Sequence, residues 1–481
     1  MPVLLRRAAA LAAVAVLAPP LAAQRNIPST YAITNAKLVL VSGPTIPKGT
    51  IVVRDGLITA MGANVAAPAD ARVIDGTGLT VYPGLFDAYG SIGLGAAAAP
   101  GGAAAAAGGR RGGGAGAAAA PAASPTNGSG NSADDPRGVE PQLSAAEEVK
   151  IDEDALDGPR SAGITTALAV PGGGIFQGQS ALINLGGATP ASMIVRSNIA
   201  QHVAFASGRG GGGGGGYPGS LMGVFAVLRQ ELLDAQRYRD LKAAYEKNPK
   251  NMVRPEFDPG LESLLPALAK QQPVVMVANS QREIERALDL AKEFGLKVMI
   301  AGGAEAPAVA ARLKADNVPV LLSINFPRRT AAAAPDAEPE TMRTLRDRVE
   351  YPKAAGKLAA AGVKFAFQSG GNTTWSDYEV NVQRAVDAGL SADQAIKALT
   401  WSPAEIFGVS DRLGSLEVGK IANLTVTKGD LGEKGVRVSQ LFVDGRPITL
   451  RPAAAPGGAG GGRAGGPPAV PGLSTSAQDP R

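Results

Sequence analysis

The sequence predicts an α/β protein with a parallel sheet, open or closed into a barrel, and a small β domain. Two observations support this. Apolar strand-like runs alternate with amphipathic helices in the middle of the chain, and short strands with Asp-Gly turns recur near both ends. The chain has 481 residues, of which 45% are hydrophobic. This length is enough for two or more structural units, each with its own core.

The small β domain is predicted from residues 31–82 and 414–450, because both segments have the same pattern of short strands separated by tight turns. Asp55-Gly56, between "IVVR" and "LITAMG", is a two-residue hairpin signal. Asp75-Gly76 repeats this signal, and Asp444-Gly445 carries it near the other end. The two ends of the chain are therefore predicted to be two pieces of one domain.

The middle of the chain predicts strands that alternate with helices. The run "QPVVMVA" (272–278) is an apolar strand, and the next helix begins with a Ser280/Glu283 capping box and ends at Gly295. Further strands are predicted at 296–300, 318–324 and 363–367, with helices at 304–315 and 353–361. Such alternation is typical of a parallel sheet covered by helices.

The N-terminal residues 1–23 predict a secretory signal peptide. Arg6 and Arg7 precede a short apolar run, and small residues before Gln24 offer a cleavage site. We therefore expect a periplasmic or secreted protein with no membrane segment after cleavage. Four Gly-, Ala- or Pro-rich segments cannot bury enough side chain to order themselves and are predicted to be disordered: 95–135, 208–216, 329–340 and 452–481.

Charge and composition exclude some functions. The 47 basic and 42 acidic residues leave a net charge of +5, which is too small to indicate a nucleic-acid partner, and we expect none. The absence of Cys excludes disulfides and thiolate chemistry. The Gly-rich run at 208–216 lacks the Gly-Lys-Ser/Thr ending of a phosphate-binding loop.

Two motifs resemble those of the amidohydrolase superfamily, in its exported imidazolonepropionase-like or prolidase-like branch. "VYPGLFDAYGSIGL" resembles the Pro-Gly-x-x-Asp-x-His-x-His signature, and "SPAEIFGVSDRLGSLEVGKIANLTV" resembles the C-terminal signature. The resemblance implies a TIM-like (β/α)8 barrel at 83–410. It also implies a β-sandwich built from 24–82 and 411–451.

The family's chemistry depends on one or two divalent metals, usually zinc, which activate a water molecule. Carried over one position at a time, every metal-ligand position fails. The His-x-His falls on Tyr89 and Ser91, while Asp87 before it survives. The remaining ligand positions fall on Asn184, on Asn279 or its neighbours from 277, on Ala301 or Gly302, and on Gly370.

The resemblance therefore implies an exported amidohydrolase-family protein that has lost its metal centre and holds no cofactor. It is predicted to be a pseudoenzyme that serves an active amidohydrolase paralogue as a partner, or binds a peptide-like or cyclic-amide ligand. The alternative is a hydrolase acting on carbon–nitrogen bonds through an atypical site containing Asp87, Tyr89, Ser91 or Glu305. A solute-binding protein is a third possibility.

Asp87 and His202 are each predicted to have a structural role. We expect Asp87 to hold the turn after its strand through backbone hydrogen bonds. The chain's one histidine, His202, is expected to be exposed, or buried with its hydrogen bonds satisfied, because a catalytic histidine needs an identifiable partner.

Overall fold

The computed structural model of the protein describes six stretches of the chain: residues 30–94, 138–205, 218–328, 340–370, 375–433 and 435–451. The predicted signal peptide lies outside the described residues. So do the predicted disordered segments, except for Glu340. Within the six stretches, no helix is both long enough and apolar enough to cross a membrane.

Strands from both chain ends form one mixed sheet, which has eight strands in the described residues and the order β18-β17-β16-β5-β1-β2-β3, with β4 paired to β1. The two ends join where β5 pairs antiparallel with β16. Alternate residues such as Ile33, Val81 and Phe442 form its apolar core. The strands are β1 Thr30–Leu38, β2 Ile46–Arg54, β3 Leu57–Gly62, β4 Arg72–Asp75, β5 Leu79–Pro83, β16 Leu424–Lys428, β17 Arg437–Val443 and β18 Arg446–Ile448.

Two of the three predicted Asp-Gly hairpins are confirmed. Asp55-Gly56 and Asp444-Gly445 both have positive φ angles, as a two-residue hairpin turn of this type requires, and they connect β2 to β3 and β17 to β18. The predicted hairpin at Asp75-Gly76 is wrong, because β4 and β5 do not pair with each other and instead both pair parallel with β1. There the Asp75 carboxylate accepts hydrogen bonds from the Thr77 backbone and hydroxyl, which makes a local turn instead.

The middle of the chain forms two further sheets in the part that the structure describes. One has the order β10-β9-β7-β6, and the other has the order β15-β14-β13-β12-β11-β8. Strands β11 to β15 are all parallel, as predicted, and β6 is parallel to β7. The strands are β6 Leu85–Gly90, β7 Ile164–Ala169, β8 Phe176–Gln179, β9 Ala181–Asn184, β10 Ile194–Arg196, β11 Gln201–Ala204, β12 Val274–Ala278, β13 Val298–Gly302, β14 Val320–Ser323 and β15 Phe365–Gln368.

Helices pack against one face of these strands. The predicted capping box of α6 is confirmed, and Gly295 ends this helix in the left-handed conformation. The predicted helix at 304–315 is divided into a 3-10 turn, Ala306–Val309, and α7. The helices are α1 Ala145–Glu148, α2 Glu153–Ser161, α3 Pro190–Met193, α4 Leu221–Lys247, α5 Pro259–Leu268, α6 Gln281–Phe294, α7 Ala310–Ala315, α8 Met342–Glu350, α9 Ala354–Ala361, α10 Trp375–Asp387, α11 Ala392–Leu399 and α12 Trp401–Ile406, with a second 3-10 turn at Tyr351–Lys353.

The strands separate two buried clusters of side chains. Val203, Ile300 and Phe367 belong to the cluster that includes the helices, whereas residues on the opposite face belong to the second cluster. That second cluster includes Phe86, Tyr89, Leu168, Val275, Met299, Leu321 and Ala366. The two sheets meet where β6 lies beside β15. An α/β fold with parallel strands and helices on one face is therefore confirmed.

Candidate functional site

In α/β folds the polar residues that act on ligands gather at the carboxyl ends of the parallel strands. Tyr89 lies at this end of β6 and Ser91 lies just after it. Asn279 follows β12, Gly302 ends β13, and Gly370 lies two residues after β15. These predicted positions therefore share one edge of the sheets.

Asn184 does not belong to this group. It lies on β9, which runs antiparallel to β7, and it pairs with Thr166 near the beginning of β7. Its amide donates a 2.7 Å hydrogen bond to Asp444 and accepts one of 2.8 Å from Asn423. Asn184 therefore links β9 to the sheet formed by the two chain ends. The family motif predicts it at the carboxyl edge, but β9 runs in the opposite direction to β7, so the residue lies at the amino edge.

Asp87 is fully buried and bound at both carboxylate oxygens. Oδ1 accepts a hydrogen bond from the Ser369 backbone and Oδ2 accepts one from the Ser369 hydroxyl, each 2.7 Å long. Burial raises the pKa of this carboxyl to about 6, although the bonds from Ser369 act in the opposite direction. A methyl group at Gly90 would lie 2.8 Å from Oδ2, so the backbone covers the pair closely.

The role predicted for Asp87 is only partly correct. Backbone amides do bind it, including that of Tyr89 in its own turn. However, its strongest partner is Ser369, 282 residues further along the chain. Asp87 therefore fastens β6 to the end of β15 as well as to its own turn.

Tyr89 and His202 form an aromatic pair on the face of the strands away from the helices. Their ring centroids are 5.6 Å apart, and the Tyr89 hydroxyl donates a 3.3 Å hydrogen bond to Gln177 Oε1. His202 pairs in register with Val275, which belongs to the same cluster as Tyr89. The three side chains therefore lie together, with Tyr89 from the carboxyl end of β6, Gln177 from the amino end of β8 and His202 from the second residue of β11.

His202 is completely buried, and neither of its ring nitrogens has a hydrogen-bond partner in the described residues. Burial lowers its pKa to about 3, so the imidazole is neutral at ordinary pH. The expectation of an exposed or satisfied histidine is therefore wrong. Gln368 Oε1 is a second buried acceptor without a partner, and its side chain is held by a 3.0 Å bond from Nε2 to the Leu321 carbonyl.

The other predicted positions shape the backbone. Gly302 has a φ of +99°, and a methyl group there would clash with Asn279 Oδ1. Gly370 has a φ of +63°, with Ser323 Oγ 3.2 Å from the place a methyl group would take. The Glu305 carboxylate accepts a 2.8 Å bond from the Gln281 amide and lies 3.6 Å from Arg343. These residues serve turns and the beginning of α6.

The donor set does not fit the family's zinc centre. A catalytic zinc needs three protein ligands from His, Asp, Glu or Cys. At this edge the structure brings together a phenol, hydroxyls, amides, a single imidazole and a carboxylate that is already bound. Across the described stretches, no three His, Cys, Asp or Glu residues are grouped so that they could hold a metal ion.

Sequence reasoning included Gln368 and Ser369 only as neutral residues of the strand end at 368–370, without a role, and it missed Gln177. Gln177 had no comparable signal, because it meets Tyr89 only through the pairing of β8 with β11.

Comparison with known proteins finds two similarities to amidohydrolases, one in sequence and one in fold. Residues 340–448 match the model of the amidohydrolase family. An amidohydrolase from Thermotoga maritima MSB8 has a similar structure, with a TM-score of 0.68 and 24% identity over 88% of this chain and 100% of that one. A prolidase complexed with N-methylphosphonate-L-proline has a TM-score of 0.52 and 16% identity over the same shares.

A sequence relative adds a shorter match. The chain is 39% identical over 67 residues to an adenine deaminase of Moorella thermoacetica, which is 14% of this chain and 11% of that protein. The chain thus spans about a tenth of the length of the curated relative that it matches, and this relative carries no argument about activity. Residues 340–448 thus match the amidohydrolase family model, and the fold of the chain is similar to that of the Thermotoga amidohydrolase.

Proposed function

We propose that this protein is an amidohydrolase-family pseudoenzyme that binds an uncharged, peptide-like or cyclic-amide ligand and does not hydrolyse it through a metal. The observation that carries the proposal is the residue set at the carboxyl edge. Tyr89, Ser91, Asn279, Gly302 and Gly370 stand at the positions of metal ligands, and the surviving Asp87 is buried against Ser369.

The ligand class follows from the neutral polar groups of the edge. Both nitrogens of His202 and the Oε1 atom of Gln368 are buried and unpartnered. Leaving such a group without a partner costs about 1–3 kcal/mol, which a bound molecule would offset. Because the imidazole is neutral, the groups favour a ligand with amide-type donors and acceptors over a charged one.

The proposal also includes a barrel, a β-sandwich and export from the cell. We infer that the two central sheets close into a TIM-like (β/α)8 barrel, which the Asp87–Ser369 contact between β6 and β15 supports. The sheet built from both chain ends would be the family's β-sandwich. The charged and apolar residues of 1–23 support export to the periplasm or the medium.

A protein partner is the other form of this proposal. Helix α8 has no buried residue, and Met342, Leu345 and Val349 present one apolar stripe that is 72%, 39% and 58% exposed. Exposed apolar stripes of this kind are frequent at protein interfaces. The stripe supports an active amidohydrolase paralogue as a binding partner.

The competing function is a hydrolase that cleaves carbon–nitrogen bonds without the family's metal centre. It is favoured by the short contact between Asp87 Oδ2 and the Ser369 hydroxyl, which resembles a base beside a nucleophile. However, no imidazole assists this pair, because neither ring nitrogen of the chain's one histidine, His202, has a hydrogen-bond partner among the described residues.

One experiment tests the proposal. The purified protein is incubated with zinc, manganese or iron, its metal content is measured by elemental mass spectrometry, and hydrolysis of dipeptides and cyclic amides is assayed. We expect less than about a tenth of an equivalent of metal, since true sites bind stoichiometrically, and no turnover. About one equivalent of tightly held metal, or turnover that Asp87→Ala abolishes, would reject the pseudoenzyme reading.

A further inference from the structure

A large cleft lies at the opposite edge of the strands. Its volume is about 1310 Å³, and it is lined by residues that immediately precede β12 to β15, namely Pro273, Lys297, Pro319 and Lys364. The ends of α6, α7 and α9 complete its wall at Gly295, Asp316 and Gly362. This amino-terminal edge is not where the family's catalytic positions lie, so the cleft is independent of the proposed function.

The charge of the lining is uneven. Three acidic residues line the cleft, and each has a basic partner: Arg312 lies 2.7 Å from Asp289 and 3.6 Å from Asp316, and Lys364 lies 3.6 Å from Glu405. Four more lysines line it and have no carboxylate partner in the described residues: Lys270, Lys292, Lys297 and Lys314.

Helix ends explain part of this excess. The carboxyl end of a helix carries roughly half a negative charge, so three ends supply about −1.5 against four lysines. Lys270 and Lys314 lie across such ends, with side-chain atoms 3.5 Å and 3.1 Å from where a methyl group at Gly295 and Gly362 would stand. Lys292 lies in the last turn of α6, and Lys297 lies between that helix and β13. Six basic and three acidic residues line the cleft, so its side chains carry a net +3, which the three helix ends reduce to roughly +1.5.

We propose that this cleft binds a soluble, multivalent phosphate chain. Lysine binds tetrahedral phosphate groups as a point charge, whereas the one arginine of the cleft is occupied by two aspartates. The cleft is larger than a single phosphate needs and recessed between helix ends, which suits a chain of phosphates better than the flat surface of a membrane.

The test uses the full chain and linear tripolyphosphate, with binding measured by titration calorimetry. Lys292→Gln/Lys297→Gln removes two exposed lysines of the cleft that have no carboxylate partner in the described residues. Lys247→Gln/Lys250→Gln, at exposed positions near the end of α4, removes the same net charge and serves as the matched control. We expect saturable binding that weakens about tenfold in the first variant, changes less than about twofold in the control, and declines with salt.

A second measurement maps the site without any substitution. Acetic anhydride labelling followed by mass spectrometry should show Lys292 and Lys297 protected at saturating tripolyphosphate, while Lys247 and Lys250 stay reactive. Absence of saturable binding, or equal losses in both variants, would overturn the proposal. Binding to phosphatidylglycerol vesicles without binding to tripolyphosphate would also overturn it and indicate a lipid surface instead.

Discussion

The two edges of the central strands differ in chemistry. At the carboxyl edge, where this fold places catalysis, the polar groups are buried, neutral or paired with one another, as with Asp87 and Ser369. At the amino edge, exposed lysines surround an open cleft. The contrast teaches that the two ends of the same strands can carry different chemistry, with buried and paired polar groups at one end and exposed charges at the other. The following predictions test this contrast, from the largest expected effect to the smallest.

The buried carboxylate of Asp87 should make stability depend on pH. Its pKa is raised to about 6 from an ordinary value of 3.8, so the folded state holds the proton more tightly. The contribution of Asp87 to stability is thus highest below pH 4 and is lost as pH rises through 6. Asp87→Asn cannot ionise, while its Oδ1 can still accept the bond from the Ser369 backbone and its Nδ2 can donate to the Ser369 hydroxyl oxygen. The difference in unfolding free energy between Asp87→Asn and wild type should shift in favour of the variant by about 3 kcal/mol from pH 4 to pH 7.

Denaturant titrations at several pH values measure this difference. Asp75→Asn is the control, because the hydrogen bond from the Thr77 hydroxyl lowers the pKa of that exposed carboxyl and so reverses the direction. Parallel stability curves for wild type and Asp87→Asn would show that the carboxyl edge holds no buried charge.

Asn184 tests whether the amino end of β7 is purely structural. Asn184→Ala removes the donor to Asp444 and the acceptor for Asn423, and should lower the unfolding free energy by about 2 kcal/mol. Asn64→Ala, at an exposed position, should change it little. If both variants unfold at the same denaturant concentration, the link between β9 and the sheet of the chain ends contributes nothing.

A substitution at Gly302 tests whether this residue is needed at the carboxyl edge for its backbone conformation. Alanine is strained at a φ of +99° and its methyl group would press on Asn279, so Gly302→Ala should cost about 1–3 kcal/mol. Gly219→Ala meets no atom within 4 Å and is the matched control. Thermal unfolding distinguishes the two, and an unchanged midpoint for Gly302→Ala would contradict the strain.

His202 gives the smallest effect on stability and the clearest signal, since it is the only histidine in the chain. With its pKa lowered to about 3 by burial, the imidazole should stay neutral as pH falls from 8 to 5 in nitrogen-15 NMR spectra. Replacement with Phe should change stability by less than about 1 kcal/mol, because no protein hydrogen bond is lost. Titration near pH 6.5 would mean that water reaches the ring.

The local features of the fold were predictable. The Ser280/Glu283 capping box, the end of α6 at Gly295 and two Asp-Gly hairpins depend on residues close in sequence. The error at Asp75-Gly76 has a physical cause. An Asp-Gly dipeptide can form a hairpin between two paired strands, or a turn between two strands that both pair with a third. At Asp75-Gly76 the second case holds, because β4 and β5 both pair parallel with β1, and the sequence does not show this pairing.

The site was less predictable because its partners are distant in sequence. Tyr89 meets Gln177 and His202, and Asp87 meets Ser369, across 88 to 282 residues. Asn184 was assigned to the wrong edge because a motif gives the order of residues but does not give the direction of the strand that carries them.

By itself, the sequence determined the alternation of strands and helices, the local turns, and the shortage of metal-ligating side chains, with one His and no Cys. These depend on short-range periodicity and on composition. Only the tertiary structure decided which polar groups are buried together and that lysines from separate loops surround one cleft. The reason is that strand pairing brings distant residues together, and burial, which sets their charge state, exists only after that pairing.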